Sequence, residues 1–186
     1  MFQQLSSLIL ALSVPLLAST VLSAKNDTQK FGRSTDTCAD PSISDIYVEE
    51  FSPSYVAHAF HRRSAFVNAD AAPAKSDWQI RGEIFRAWKN PQQGTIPMYR
   101  AFNPTTPDYI SLTSSNGNPP VVSGFQVSTD VVAYVYPSAI CGSIPLYGTA
   151  QEAAGDHWYT TIPSERDDLV ANGWIDSGIA AYVLPL

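Results

Sequence analysis

Two histidines and an aspartate are the residues of this chain whose types and spacing best suit chemistry. His58 and His157 fall at equivalent places in an internal repeat, and Tyr109 holds the third. Two imidazoles with a phenol, or with Asp156, carry donors that bind a divalent metal. His58 and His61 add an HxxH spacing. The ordinary use of a histidine recurring in a β-repeat is different: it satisfies a buried carbonyl or caps a turn. No metal or other cofactor is therefore expected. Asp156 beside His157 has the makings of a base and its orienter, but neighbours on a strand point to opposite faces. Asp156 is expected instead to close the preceding turn through its own backbone. No serine-nucleophile elbow, HExxH, phosphate loop or dinucleotide fingerprint occurs. Neither cysteine has the paired base that thiol catalysis needs. No catalytic residue is assigned.

Aromatic residues are the more promising chemistry. An aromatic face packs on the C–H side of a pyranose, and nearby carboxylates and amides take the hydroxyls. Ile179, Ala181 and Val183 share one face of a strand, and Ala180, Tyr182 and Leu184 the other. Both faces are apolar, so such strands are expected to be buried on two sides and most aromatics to be core. Trp158 and Trp174, flanked by Asp156, Thr160 and Asp176, are the exposed exceptions. The candidate ligand-binding residues are thus Trp158, Trp174, Asp156, His157, His58 and Asp176.

The elements that must position them come in three copies. Ile96-Pro97-Met98-Tyr99 returns 48 residues later as Ile144-Pro145-Leu146-Tyr147, and Asp108 returns as Asp156. Val131 to Pro137 returns as Ile179 to Pro185 at the same offset. A more diverged copy lies upstream, with Phe51-Ser52-Pro53 matching Phe102-Asn103-Pro104, and Trp78 and Gly82 matching Trp174 and Gly178. The copies run about 43–91, 95–137 and 143–186. Copy three reads strand, strand, short helix, strand. Thr161 is its expected N-cap, Pro163 lies in its first turn, and Asn172-Gly173 is its stop. Ser114 to Pro120 cannot form a helix in copy two, and Asn68 to Pro73 interrupts the pattern in copy one. Short links between copies favour antiparallel neighbours, so each three-stranded sheet is expected to combine strands of consecutive copies. No single copy can bury a core alone. The predicted fold is a β-rich α+β domain, closed in a pseudo-threefold arrangement, with a β-trefoil as the alternative.

The apolar, uncharged run Leu5–Leu22, followed by small residues, reads as a secretory signal peptide over 1–24. A polar N-terminal arm, 25–42, precedes the three-repeat domain, 43–186. Asn26-Asp27-Thr28 is a glycosylation sequon. In an oxidising compartment the two cysteines, Cys38 and Cys141, are expected to bridge. The net charge of −6 argues against a nucleic-acid or anionic-membrane partner, and His58 to Arg63 reads as a solvated basic edge. No later segment is long and apolar enough to insert in a membrane.

At these residues the chain resembles a secreted tandem-repeat family of unknown function found in fungal and bacterial extracellular proteins. Pro145-Leu146-Tyr147, Asp156-His157-Trp158-Tyr159-Thr160-Thr161, Ser164-Glu165-Arg166 and Gly178 to Pro185 carry the likeness. Copy two keeps Pro97-Met98-Tyr99-Arg100 and Asn103-Pro104 but departs at Tyr109-Ile110-Ser111. The resemblance implies an extracellular location and a three-copy domain, and no activity. Three functions follow in order of expectation. The first is a monomeric, non-catalytic binder of cell-wall or host glycan, recognisable by a shallow groove with an exposed Trp beside carboxylates. The second is an effector or inhibitor binding a protein through loops 63–77 or 114–122. The third is a hydrolase, which requires His and carboxylate within hydrogen-bond reach in a cleft.

Overall fold

A computed structural model describes residues 38–72 and 77–186. The expected signal peptide, the Asn26 sequon and the first part of the arm lie outside them. Copy one comprises β1 (Asp45–Ser52), β2 (Ala57–Arg62), α1 (Arg63–Ala71) and β3 (Gln79–Ala87). Copy two comprises β4 (Ile96–Asn103), β5 (Asp108–Thr113) and β6 (Gln126–Val135). Copy three comprises β7 (Ile144–Gln151), β8 (Asp156–Thr160), α2 (Pro163–Ala171) and β9 (Ile175–Val183). Neither helix is long and apolar enough to cross a membrane.

Each copy forms its own antiparallel three-stranded sheet, in the orders β2-β1-β3, β5-β4-β6 and β8-β7-β9. This corrects the expectation that sheets would mix strands of consecutive copies. The first strand of each copy is flanked on both sides by strands of the same copy, so it has no edge left to offer. Pro145 is tolerated in the central strand because β8 stops at Thr160, opposite Tyr147; at Pro145 a strand, β9, pairs on one side only.

The sheets are not joined into a closed barrel, so the barrel of a β-trefoil is not formed. They meet at single bridges in cyclic order: Trp88 with Tyr134, Tyr136 with Tyr182, and Leu184 with Arg86. Each bridge lies 48 residues beyond the last, which is the repeat itself. The core is shared in the same way. Tyr47, Met98 and Leu146, one from each copy, are fully buried together with Phe60, Phe85, Val135 and Val183. The Tyr47 hydroxyl, inside copy one's share of that core, donates to the Val132 carbonyl of copy two at 2.9 Å.

Three local expectations are corrected. Most of the expected 63–77 loop is a helix, a point the interrupted pattern of copy one left open, because Phe66 packs down on Val48 and Ala59. Thr161 is not the α2 cap. Its hydroxyl is diverted across the copy boundary to the Ile84 carbonyl at 3.2 Å, while the Thr160 hydroxyl accepts the Ile162 N–H at 3.0 Å and donates to Glu165. Finally, Ile179 is not on the buried face with Ala181 and Val183. Leu146 pairs Ala181 but Tyr147 pairs Ile179, so Ala180 is an extra residue in β9. The bulge breaks the alternation and leaves Ile179 48% exposed.

The second strands carry the links between copies. The His58 ring bonds Asp156 of copy three, Nδ1 to Oδ2 at 2.7 Å, and its backbone N–H donates to the same carboxylate at 2.8 Å. The His157 ring bonds Asp108 of copy two at 2.9 Å. Repeat order demands a third such link, Tyr109 to Ala57, and both partners have changed there. Tyr109 instead packs among Tyr55, Trp78 and Phe102, with the Arg100 guanidinium 5.4 Å above its ring. His58 to Arg63 is likewise no solvated edge, since Phe60 in its middle is 1% exposed.

Removing one acceptor leaves a half-buried imidazole and a backbone N–H without partners. Asp156→Ala is expected to cost about 2 kcal/mol, measured by urea unfolding. Glu152→Ala, at an exposed carboxylate, should stay within about 0.5 kcal/mol of wild type. Equal losses in the two variants would show that the copy-to-copy link carries no stability.

Candidate functional site

The boundary between copies one and three opens into a cleft of about 410 Å³. Its copy-one wall is built from Glu49 of β1 and Arg81 to Ile84 of β3. Its copy-three wall is Trp158 and Thr160 of β8, then Thr161 and Ile162 of the link and Glu165 of α2, with Ile144, Pro185 and Leu186 closing one end. The volume lies in the range of small-ligand sites.

The strand pattern explains why these side chains meet. Asp156, Trp158 and Thr160 alternate onto one face of β8, and that face looks at copy one. Asp156 takes His58. Trp158 then lies edge-to-face with the His58 ring, centroids 4.6 Å apart. The indole is thus held by an imidazole that is itself held by a carboxylate. The Trp158 Nε1–H is buried and has no acceptor among the described residues.

Glu49 is 4% exposed. Its carboxyl is pushed up to about 9, first by burial and next by the Glu165 carboxylate, with Asp156 adding to both. The Tyr159 backbone and Arg81 pull the other way without overcoming them. Glu49 is therefore a neutral carboxylic acid at pH 7, able to donate as well as accept. Glu50, beside it in sequence, is 1% exposed, and neither of its oxygens has a partner among the described residues. Burial, then Asp70, push it up to about 7.

The quasi-equivalent cleft between copies three and two is furnished differently. It holds Gly148 where copy one has Glu49, and Ile110 and Leu112 where copy three has Trp158 and Thr160. The remaining boundary has Arg100 in the Glu49 position. The carboxyls and the indole thus coincide at one boundary of the three.

Of the residues read from the sequence, Trp158 lines the cleft, and Asp156 and His58 stand behind it. Asp156 does not close its own turn, and the histidines bond carboxylates rather than carbonyls. His157 and Asp156 serve different links, as alternation requires. His157 lines the copy-two boundary instead. Trp174 and Asp176 do not line the cleft: the Trp174 N–H caps α2 on the Leu169 carbonyl, and exposed Asp176 faces Arg166 at 3.4 Å. Sequence reading missed Glu49, Glu165, Arg81 and Asp108. One signal was available: in the adjacent pair Glu49-Glu50, alternation must send one carboxyl inward if either face is buried.

A family model described as a domain of unknown function (DUF5648) matches residues 47–184. No curated protein and no solved structure matches the chain.

Proposed function

We propose a carbohydrate-binding function for this chain, which belongs to the DUF5648 family of domains of unknown function, and we place the ligand in the cleft between copies one and three. The observation that carries the reading is the Trp158 indole, half-buried rather than exposed as expected, standing in a cavity beside three carboxyl groups and a guanidinium. A pyranose needs such a set. The indole covers its C–H face, neutral Glu49 donates to one hydroxyl or ring oxygen, and Glu165 and Arg81 accept from and donate to others. The site is pre-formed, because Trp158 rests on His58 and the Thr160 hydroxyl holds Glu165. The cleft has the size of one or two sugar rings, which fits a short stretch of a cell-wall or host glycan, and its lining comes from one chain, so binding needs no second copy. An extracellular location accords with the Cys38–Cys141 disulfide.

Screening the chain on a glycan array should give signals that Trp158→Ala abolishes and Trp174→Ala leaves intact. Loss of an aromatic platform is expected to weaken binding at least about tenfold. Signals that survive Trp158→Ala, or none for wild type, would refute the assignment.

A further inference from the structure

Glu165 has a place in the fold, in the first turn of α2 and bonded to Thr160; the Glu49 carboxyl facing it in this cleft has none. Glu49 is buried with no cation bonded to it among the described residues and lies close enough to feel Glu165. A carboxyl in that position opposes folding once it ionises. The repeat itself shows that the fold does not need it, since Gly148 and Arg100 stand in the same place in the other copies. The links that do hold copies together, His58–Asp156 and His157–Asp108, recur at two boundaries. The Glu49 and Glu165 pair occurs at one, the boundary whose cleft also holds Trp158. A costly acid that lines a cavity beside an indole and a second carboxyl is a mark of chemistry.

We propose that the cleft hydrolyses a glycosidic bond of the carbohydrate it binds, with Glu49 as general acid and Glu165 as general base. This rests on the binding assignment above. The two groups enter from opposite walls, Glu49 from β1 of copy one and Glu165 from α2 of copy three. A sugar in the cleft therefore meets a carboxyl from each wall. Glu49 gives its O–H proton to the bridging oxygen as the bond from the anomeric carbon to that oxygen breaks. A water oxygen bonds to the same carbon from the opposite side, and Glu165 takes the proton that water releases. One water is consumed and two sugar ends are freed. Solvent then carries the proton from Glu165 back to Glu49, and nothing is oxidised or reduced. Two carboxyls whose surroundings hold one protonated are the arrangement this reaction uses. Arg81 and Glu83 on the copy-one wall and Asp156 behind Trp158 are the other charged groups facing the pair. Thr160 is a positioning residue, because its hydroxyl orients Glu165.

The test uses the purified, oxidised chain with fluorogenic aryl glycosides of neutral hexose and N-acetylhexosamine oligomers. Release of the fluorophore and binding of the matching unlabelled oligomers are measured on the same samples. Wild type should cleave at least one probe, and Glu49→Gln and Glu165→Gln should each lower kcat by about 100-fold or more with binding kept within about threefold. Thermal unfolding confirms that each variant is folded. Thr160→Val should lower kcat more than it changes KM. The rate for wild type should fall on the alkaline side as Glu49 ionises, and Glu152→Gln should reproduce the wild-type profile. Oligomers bound through Trp158 but never cleaved would overturn the hydrolysis while leaving binding in place. Cleavage indifferent to both glutamine variants would also overturn it. Neither binding nor cleavage would remove both proposals.

Discussion

Replacing Cys38 and Cys141 together by serine is expected to lower the unfolding free energy by about 4–5 kcal/mol, the chain-entropy value for a loop of about 100 residues. The two cysteines are bonded across a sequence separation of 103. The cross-link forbids the unfolded chain most of its extended conformations, and that restriction vanishes in the variant. The folded state shows what the bridge holds in place. The segment from Cys38 to Ser44 lies over the end of the pseudo-threefold axis, where Trp88, Tyr136 and Leu184 of the three copies pack with Ala39. The Ala39 N–H donates to the Tyr136 hydroxyl at 2.9 Å, and the Trp88 indole N–H to the Asp40 carbonyl at 2.7 Å. Arg86 donates to the Ser44 carbonyl at 2.7 Å. The bridge therefore pins a cap on the axis, anchored in the link between copies two and three, rather than stapling the boundary of copies one and three. Urea unfolding of wild type and the double variant, with m-values compared, checks this. A loss below about 1 kcal/mol would mean that the arm is held by its hydrogen bonds alone.

The second large effect is a pH dependence. In the unfolded chain Glu49 ionises near the ordinary carboxyl value of about 4.3, and in the folded chain at about 9. Between those values the folded protein keeps a proton that the unfolded protein releases. Stability is thus fullest below the unfolded value and is lost as pH rises through the folded one. One such proton is worth about 1.4 kcal/mol per pH unit, so wild type should lose about 2–3 kcal/mol between pH 7 and 9. Glu49→Gln cannot ionise; it should flatten this slope and exceed wild type in stability at pH 9. Glu50, raised to about 7, acts in the same direction but finishes earlier, so Glu50→Gln should flatten the curve only below about pH 7. His61 acts oppositely. Burial first, then Arg100 and Arg62, lower it to about 4. Its contribution is complete above the ordinary imidazole value and is lost as pH falls toward 4. Parallel curves for wild type and Glu49→Gln between pH 7 and 9 would refute the burial of an uncompensated carboxyl.

These two effects come from different kinds of information. The bridge, the three copies and the loss of the helix in copy two follow from residues counted along the chain. Ile96-Pro97 and Ile144-Pro145 announce a repeat because each copy must make the same strand. Ser114 to Pro120 forbids a helix through local backbone chemistry. Even the equivalence of His58, Tyr109 and His157 is a matter of offset. What the offsets do not contain is which copy each side chain addresses. Asp156 and His157 are neighbours, yet one bonds copy one and the other copy two, because a strand turns successive residues to opposite sides and each side here belongs to a different copy. Ile179 left its expected face through one bulge residue, a displacement that alternation cannot foresee. The cleft of Glu49, Trp158 and Glu165 joins residues more than 100 positions apart, and it exists because the cyclic packing of three sheets brings the first copy against the last. Spacing can reveal that a unit is repeated; the meeting of distant carboxyls depends on how the units close on one another.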